Sequence, residues 1–581
     1  MRIMEPKLSL HLPSLATLAL FLCSVAASAQ TVLVQNVHGY TLTDKGLTDQ
    51  GTADQGILKF SSLLIVDGHV KQVGTGDLKA PAGAKVIDGG GKTMLPGLID
   101  AHGHVANYGE EQEQVDLRGS SSLPEALRRV AAFSKDNPRD AWLRGRGWNQ
   151  VPWAAGAFPT AKDLDSVVDT RPALLMRIDG HAIWVNTRAL EIAGITKATA
   201  DPPGGQIIRD AAGDPTGVLV DAAKALVEKK VPEADDQAIK RRLQASMREL
   251  VKVGLTGAHD AGIDPRQYRI YRELGASGAL PLRIYAMLAD SPEARKVMVA
   301  GPRPLEFSDR LQLRAVKAWV DGALGSRGAA LLEDYSDQPQ HRGLMLYTPE
   351  KLQELAKITA AHGWQLNIHA IGDAGNRVAL DTFANSYTAA QRQATRPRIE
   401  HAQVVALKDI PRFAQLGVIA SIQPTHATSD MNMAETRIGS TRIQGAYAWR
   451  KLIKSGARLA GGSDFPVELP NPFHGLYAAV TRQDHDGKPP GGWYPEEKLT
   501  RAEALRLFTL DAAYAGHMET KIGSLEPGKW ADFILIDRDY FTVPDSEIDD
   551  IHVLTTWLGG HKVSESDAGI PKPKQAYLAS R

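Results

Sequence analysis

Histidine recurs in this chain where runs of apolar, β-branched residues come to an end. The first such place is Leu95-Pro96-Gly97-Leu98-Ile99-Asp100-Ala101-His102-Gly103-His104. In extended backbone, residues i and i+2 share a face, so His102 and His104 point the same way and Gly103 leaves close access between them. Two neighbouring imidazoles repel when protonated and suit a shared divalent cation; two turn histidines without a ligand are the plainer alternative. Later runs end alike, in Asn367-Ile368-His369, Ile399-Glu400-His401 and Gly461-Gly462-Ser463-Asp464. Taken singly, each is weak evidence, because a lone histidine is more often a satisfied core or surface group. Their coincidence at successive strand ends opening into one mouth is what points to a metal-holding site.

The elements that must position these residues follow from the hydrophobic pattern. Strand-like runs are expected at Met94–Ile99, Leu255–His259, Leu282–Leu288, Leu313–Val320, Gln365–His369, Arg398–His401, Val418–Gln423 and Arg458–Gly461. Helical segments separate them, such as Pro349 to His362, where Leu352, Leu355, Ala356 and Ile358-Thr359 make an apolar stripe. Eight strands alternating with helices predict an α/β fold, a (β/α)8 TIM barrel over residues 93–514 whose chemistry sits at the strand C-terminal ends. The first two candidate strands lie much farther apart than the about 30 residues of a βα unit. An α/β subdomain inserted at about 106–250 accounts for the excess. Short β runs separated by Gly and Asp turns flank the barrel, and 30–92 with 515–581 are expected to form one discontinuous β-sandwich.

The Pro-Gly-Leu-Ile-Asp-Ala-His-Gly-His opening, Gly180-His181-Ala182-Ile183-Trp184-Val185-Asn186, Lys317 to Gly328, Asn367 to Asp373 and the turn and strand from Gly523 to Asp537 resemble the amidohydrolase superfamily. Within it they are similar to amidohydrolase family 3, the branch of N-substituted formamide deformylase-like proteins. The resemblance spans essentially the whole chain after residue 29. It implies that His102 and His104 hold a first metal and His369 and His401 a second, with Asp464 binding metal and handling the proton. The remaining ligand it implies is a lysine at the end of the fourth strand, where Lys317 falls. An ammonium has no lone pair to give, so the resemblance implies carbamylation of Lys317 to a bridging carboxylate. Two cations about 3.5–4 Å apart make hydroxide available from a shared water at neutral pH, and this attacks a polarised carbonyl.

Three further residues bear on substrate. The resemblance puts His181 over the mouth, where its imidazole would bind the substrate carbonyl or oxyanion; a hydrogen-bonded histidine fixing a turn is equally open. Trp148 is a candidate cap on an apolar substrate, against a buried structural tryptophan. Arg327, in the Gly-rich Gly325-Ser326-Arg327-Gly328, is a candidate substrate contact, against a loop-stabilising ion pair.

Composition limits the partners. The 581 residues carry 67 Lys+Arg against 67 Asp+Glu, so no basic field exists to neutralise phosphates, and nucleic acid and anionic lipid are poor partners. A small, weakly charged substrate is the expected partner, and homo-oligomer formation stays open. Arg2 and Lys7 precede an apolar run from Leu15 to Ala26 that ends in Ala27-Ser28-Ala29. That order reads as a signal peptide over 1–29, its apolar run too short to span a bilayer, and predicts a periplasmic or secreted protein. Its removal takes away the one cysteine, Cys23, so any metal site uses His, Asp, Glu or a modified Lys. Such ligation favours zinc and admits manganese, cobalt, nickel and iron, with one or two ions per chain. The expected activity is hydrolysis of a non-peptide C–N bond of amide, N-formyl or cyclic imide type. A lactone or ester hydrolase, and an inactive small-molecule-binding relative, are the alternatives.

Overall fold

Parallel strands buried on both faces read as nearly continuous apolar runs, and the expected runs assemble in that way. The computed structural model describes residues 30–43, 56–138, 141–150, 153, 157–168, 170–178, 180, 182–203 and 205–566. The proposed leader 1–29 and His181 lie outside the described residues. Eight strands form one sheet in chain order: Leu98–Gly103, Leu255–Ile263, Arg283–Ala289, Leu311–Trp319, Gln365–Ala370, Arg398–His401, Ile419–Ile422 and Leu459–Gly461. Each is parallel to its neighbour. The ends of the sheet meet at the mouth through a parallel bridge between Gly103 and Phe465. Helices pack outside; Pro349–Ala361 starts on Thr348, whose hydroxyl accepts from Lys351 N, and buries Leu352, Leu355, Ala356, Thr359 and Ala360.

The run Met94–Ile99 is not one barrel strand. Met94 to Pro96 close a long strand, Lys85–Pro96, that belongs to a separate sheet, and the barrel begins at Leu98. Pro96 has no N–H to extend a ladder, and at Gly97 a β-carbon would lie 2.3 Å from the Thr256 hydroxyl, so the chain turns there.

That separate sheet unites the two ends of the chain. Phe533–Ile536 runs antiparallel to Lys85–Pro96, with Phe533 opposite Pro96, and Thr31–Leu42 lies parallel on the other side. Seven of its eight strands follow one hydrogen-bonded path, and the eighth, Ile57–Phe60, pairs antiparallel with Thr31–Leu42. Val32, Leu63 and Met94 share an apolar cluster with Phe533, Leu535 and Trp557. The sheet extends past residue 92 to Pro96 and resumes only at Phe533. Leu510–Ala515 is a helix whose Ala512, Ala513 and Ala515 pack on Ile99, Ala101 and Ala460 of the barrel.

The insertion is a six-stranded mixed sheet ordered Gly205–Arg209, Pro215–Asp221, Ala182–Val185, Ala173–Arg177, Leu143–Trp148 and Val115–Asp116. It is shorter than expected. The helix Asp236–Lys252 buries Leu243, Met247, Leu250 and Val251 in the same cluster as Leu255 and Ile270, so it serves the barrel. Among the described residues, no helix is long and apolar enough to cross a membrane.

One buried ion pair ties barrel to terminal sheet. Arg283 Nε donates to Asp532 Oδ2 at 2.7 Å and Nη2 to Oδ1 at 2.9 Å, both side chains being 3% exposed. Removing one partner strands the other charge, which costs about 3–5 kcal/mol. Asp532→Ala is therefore expected to lower unfolding free energy by that amount, read by urea denaturation, while a surface pair such as Arg188–Glu191 changes it by less than about 1 kcal/mol.

Candidate metal centre

The barrel strands deliver their polar residues by closing tightly. Asp100, buried in the first strand, accepts from Ser463 Oγ at 2.6 Å, Ser463 N at 3.0 Å and His102 N at 3.0 Å. Asp464 N donates to His102 O at 2.7 Å, and His104 N to Phe465 O at 2.8 Å. The approach needs Gly462, where a β-carbon would sit 2.5 Å from His102 N, and Gly103, where one would strike the Phe465 ring. Asp464 and His401 take left-handed backbone, at φ 61° and 73°, which L side chains adopt at a cost and which clusters at functional sites. In regular strand, Glu400 and His401 would face opposite sides; the turn at His401 lets both serve the mouth.

The side chains converge there. His102 Nδ1 donates to Glu400 Oε2, leaving Nε2 facing the cluster, 3.1 Å from Lys317 Nζ and 3.6 Å from Asp464 Oδ1. His104 Nε2 lies 3.1 Å from the same Asp464 oxygen. His401 Nδ1 donates to Gln423 Oε1 at 2.8 Å, so its Nε2 also faces inward. The His401 ring centroid is 5.0 Å from that of His102 and 4.5 Å from that of His369. His369 Nε2 is buried without a hydrogen-bond partner, and its strand end is braced by Asp321, which accepts from the N–H groups of Ala330, Ile371 and Gly372. Donor atoms of His102, His401 and Asp464 all lie within 4.8 Å of one another. All six expected ligand residues thus meet at one mouth.

Electrostatics favours the ligand forms. Burial, with the Lys317 charge, pushes His102 down to about 4 and His369 to about 3, so both imidazoles keep a lone pair at neutral pH. Burial pushes Asp464 up, but the hydrogen bond from His104 and the charges of His102 and His401 prevail and hold it well below the usual carboxylate range. Burial lowers Lys317 to about 8, so a neutral amine is accessible near neutral pH. Buried imidazoles, a carboxylate and a desolvated lysine, with an unpartnered nitrogen among them, fit a divalent metal.

Other contributors escape sequence reading. Glu400 orients His102 and is itself held by Arg398, whose Nε lies 2.8 Å from Oε1; Arg398 also donates to Ser421 Oγ and Ala101 O. A buried strand carrying Arg398 and Glu400 on one face was the available signal, since such charges must be paired inward. His426, in the helix Pro424–Asp430, stacks on His401 at 5.9 Å with its Nε2 3.8 Å from Asp464 Oδ2. Trp148 is fully buried in the insertion, donating Nε1–H to Leu175 O at 2.8 Å and packing against Trp153 and Trp184. Arg327 forms a two-pronged pair with Asp337 at 2.9 and 3.2 Å. Those contacts hold the insertion core and a loop, not the histidine cluster.

The model of the amidohydrolase family matches residues 85–563. The chain belongs to the amidohydrolase family. It is 33% identical over 520 residues to the protein LONG AFTER FAR-RED 3 of Arabidopsis thaliana, covering 86% of this chain and 88% of that one. It is 28% identical over 523 residues to an N-substituted formamide deformylase of Arthrobacter pascens, covering 86% and 94%. Among solved structures, a metal-dependent hydrolase of Pyrococcus furiosus superposes with a TM-score of 0.72 at 27% identity, covering 88% of this chain and 100% of that one. This amidohydrolase is therefore a metal-dependent enzyme of the barrel type.

Glu400→Gln removes the carboxylate that orients His102. Loss of such a partner costs about 10–100-fold in metal affinity, and that drop is expected in a metal titration of the folded variant. Protonation competes with metal for imidazole. Because burial lowers His102 and His369 to about 4 and 3, metal release on acidification is expected below pH 5 rather than near the ordinary histidine value of about 6.5, as read by metal content after dialysis at stepped pH.

Proposed function

We propose that this amidohydrolase hydrolyses a non-peptide C–N bond of amide, N-formyl or cyclic imide type, in the periplasm or outside the cell after loss of residues 1–29. The observation that carries the reading is the position of Asp464, an ionised carboxylate with one oxygen 3.1 Å from His104 Nε2 and the other 3.8 Å from His426 Nε2. The likeness to an N-substituted formamide deformylase supports the bond class, and the leader composition supports export.

His102, His104, His369, His401, Asp464 and a carbamylated Lys317 would hold up to two divalent ions, zinc being favoured, which when bound supply Lewis-acid activation of water and of the carbonyl. The neutral Lys317 amine adds CO₂ and releases one proton, becoming an anionic carbamate. Asp464 takes the proton of the attacking water and passes it to the leaving nitrogen, a role that requires it to be ionised beforehand. Glu400 and Gln423 keep His102 and His401 in one tautomer while this happens. His181, next to Gly180 in the insertion, would donate to the substrate oxygen.

A panel of N-substituted formamides, cyclic imides, carbamates and lactones, run on chelated and re-metallated protein, tests the reading. Metal-dependent turnover of a C–N substrate is expected; turnover of lactones alone would replace it. Asp464→Asn should keep its fold and lose about 10²–10⁴-fold in turnover, whereas a loss below about tenfold would hand the proton to another group. Lys317→Ala should lose activity and regain part of it with added short carboxylic acids; unchanged metal content and rate would remove Lys317 from the site.

A further inference from the structure

A second group of metal-type donors is separate from the barrel mouth cluster. His474 sits in the first turn of the helix Pro472–Thr481, whose N-terminus is capped by Asn471. Arg482 ends that helix in left-handed backbone, and the chain then makes a tight loop in which Asp484 accepts from the N–H groups of Asp486 and Lys488. That loop presents His485. Asp549 comes from elsewhere, from the short helix Asp545–Asp550 that joins two strands of the terminal sheet, Phe533–Ile536 and Val553–Leu558.

His485 Nδ1 is 2.7 Å from Asp549 Oδ2 and His474 Nε2 is 3.8 Å from Asp549 Oδ1. The two imidazoles meet edge to face with centroids 4.6 Å apart. One donor atom from each of the three residues lies within 4.8 Å of the other two. Tetrahedral zinc with bonds of about 2.0–2.2 Å sets its donors roughly 3.4 Å apart, so shifts of about an ångström suffice. The surroundings are acidic: Asp549, Glu468 and Asp484 all act on His485. Burial keeps His474 neutral, at about 4. His474 and Asp549 are largely enclosed and His485 is exposed, which leaves one side open for a water ligand.

We propose that His474, His485 and Asp549 form a second metal site for a borderline divalent ion of the zinc, cobalt or nickel class, which cross-links the barrel to the terminal sheet. Two imidazoles disfavour magnesium and calcium, whose ligands are oxygens. The site is structural, because its three donors come from two parts of the fold and pinning them together stabilises only the folded state. It is independent of the catalytic reading.

The test uses the full-length protein, stripped with chelator and titrated with Zn²⁺ or Co²⁺, comparing the natural sequence with His485→Ala, His485→Gln and His401→Ala. His485 is exposed, so both variants are expected to keep the fold. Expected are one fewer tightly bound ion per chain in both His485 variants, a loss of the tetrahedral Co²⁺ absorption from this site, and a smaller rise in Tm on adding metal, with turnover unchanged. His401→Ala should keep this ion while losing metal at the barrel mouth. Equal stoichiometry and equal metal-induced Tm shift in the natural and His485-substituted proteins would overturn the proposal, as would binding at this cluster only in the millimolar range.

Discussion

The Asp100 carboxylate accepts from the Ser463 hydroxyl at 2.6 Å and from the backbone N–H groups of Ser463 and His102, and it does so inside the barrel wall where the first and eighth strands meet. The eighth strand, Leu459–Gly461, is three residues long, so these hydrogen bonds and the Gly103–Phe465 bridge carry the closure of the sheet. The same contact fixes His102, His104 and Asp464 relative to one another. Gly462 and Gly103 are needed because a side chain at either would push the two strands apart. Closure of the fold and construction of the site are one event.

A second constraint is the chain of buried charge that runs from Arg398 through Glu400 to His102. All three side chains are fully buried, a placement that apolar residues of equal size would commonly better for stability. Its use lies in direction: Glu400 accepts a hydrogen bond from Nδ1–H of His102 and turns Nε2 to the mouth, as Gln423 Oε1 does for His401. Both imidazoles are therefore oriented by the interior.

Much of this was legible in the sequence. Seven of the eight expected barrel strands appear within a few residues of their places, because strands buried on both faces leave unbroken apolar runs. The first differs, since the apolar run Met94–Ile99 reads as one strand although the turn-forming pair Pro96-Gly97 divides it between two sheets. The insertion was drawn too long for a similar reason: the amphipathic helix Asp236–Lys252 looks alike on either side of the boundary. The clustering of the histidines could be read because they end strands. Glu400, Arg398 and His426 could not be assigned, because their roles rest on cross-strand partners and on a left-handed turn at His401 that periodicity does not reveal. Trp148 shows the limit from the other side, as its burial depends on how the insertion packs its own tryptophans.

The central claim is that the strand ends of this amidohydrolase hold a metal centre. Anomalous X-ray diffraction from crystals of metal-loaded full-length protein, recorded on both sides of the metal absorption edge, tests it most directly. The account predicts anomalous peaks bonded at about 2.0–2.2 Å to imidazole nitrogens from the set His102, His104, His369 and His401 and to an Asp464 oxygen. A loaded, active protein with no anomalous peak among those residues would contradict it.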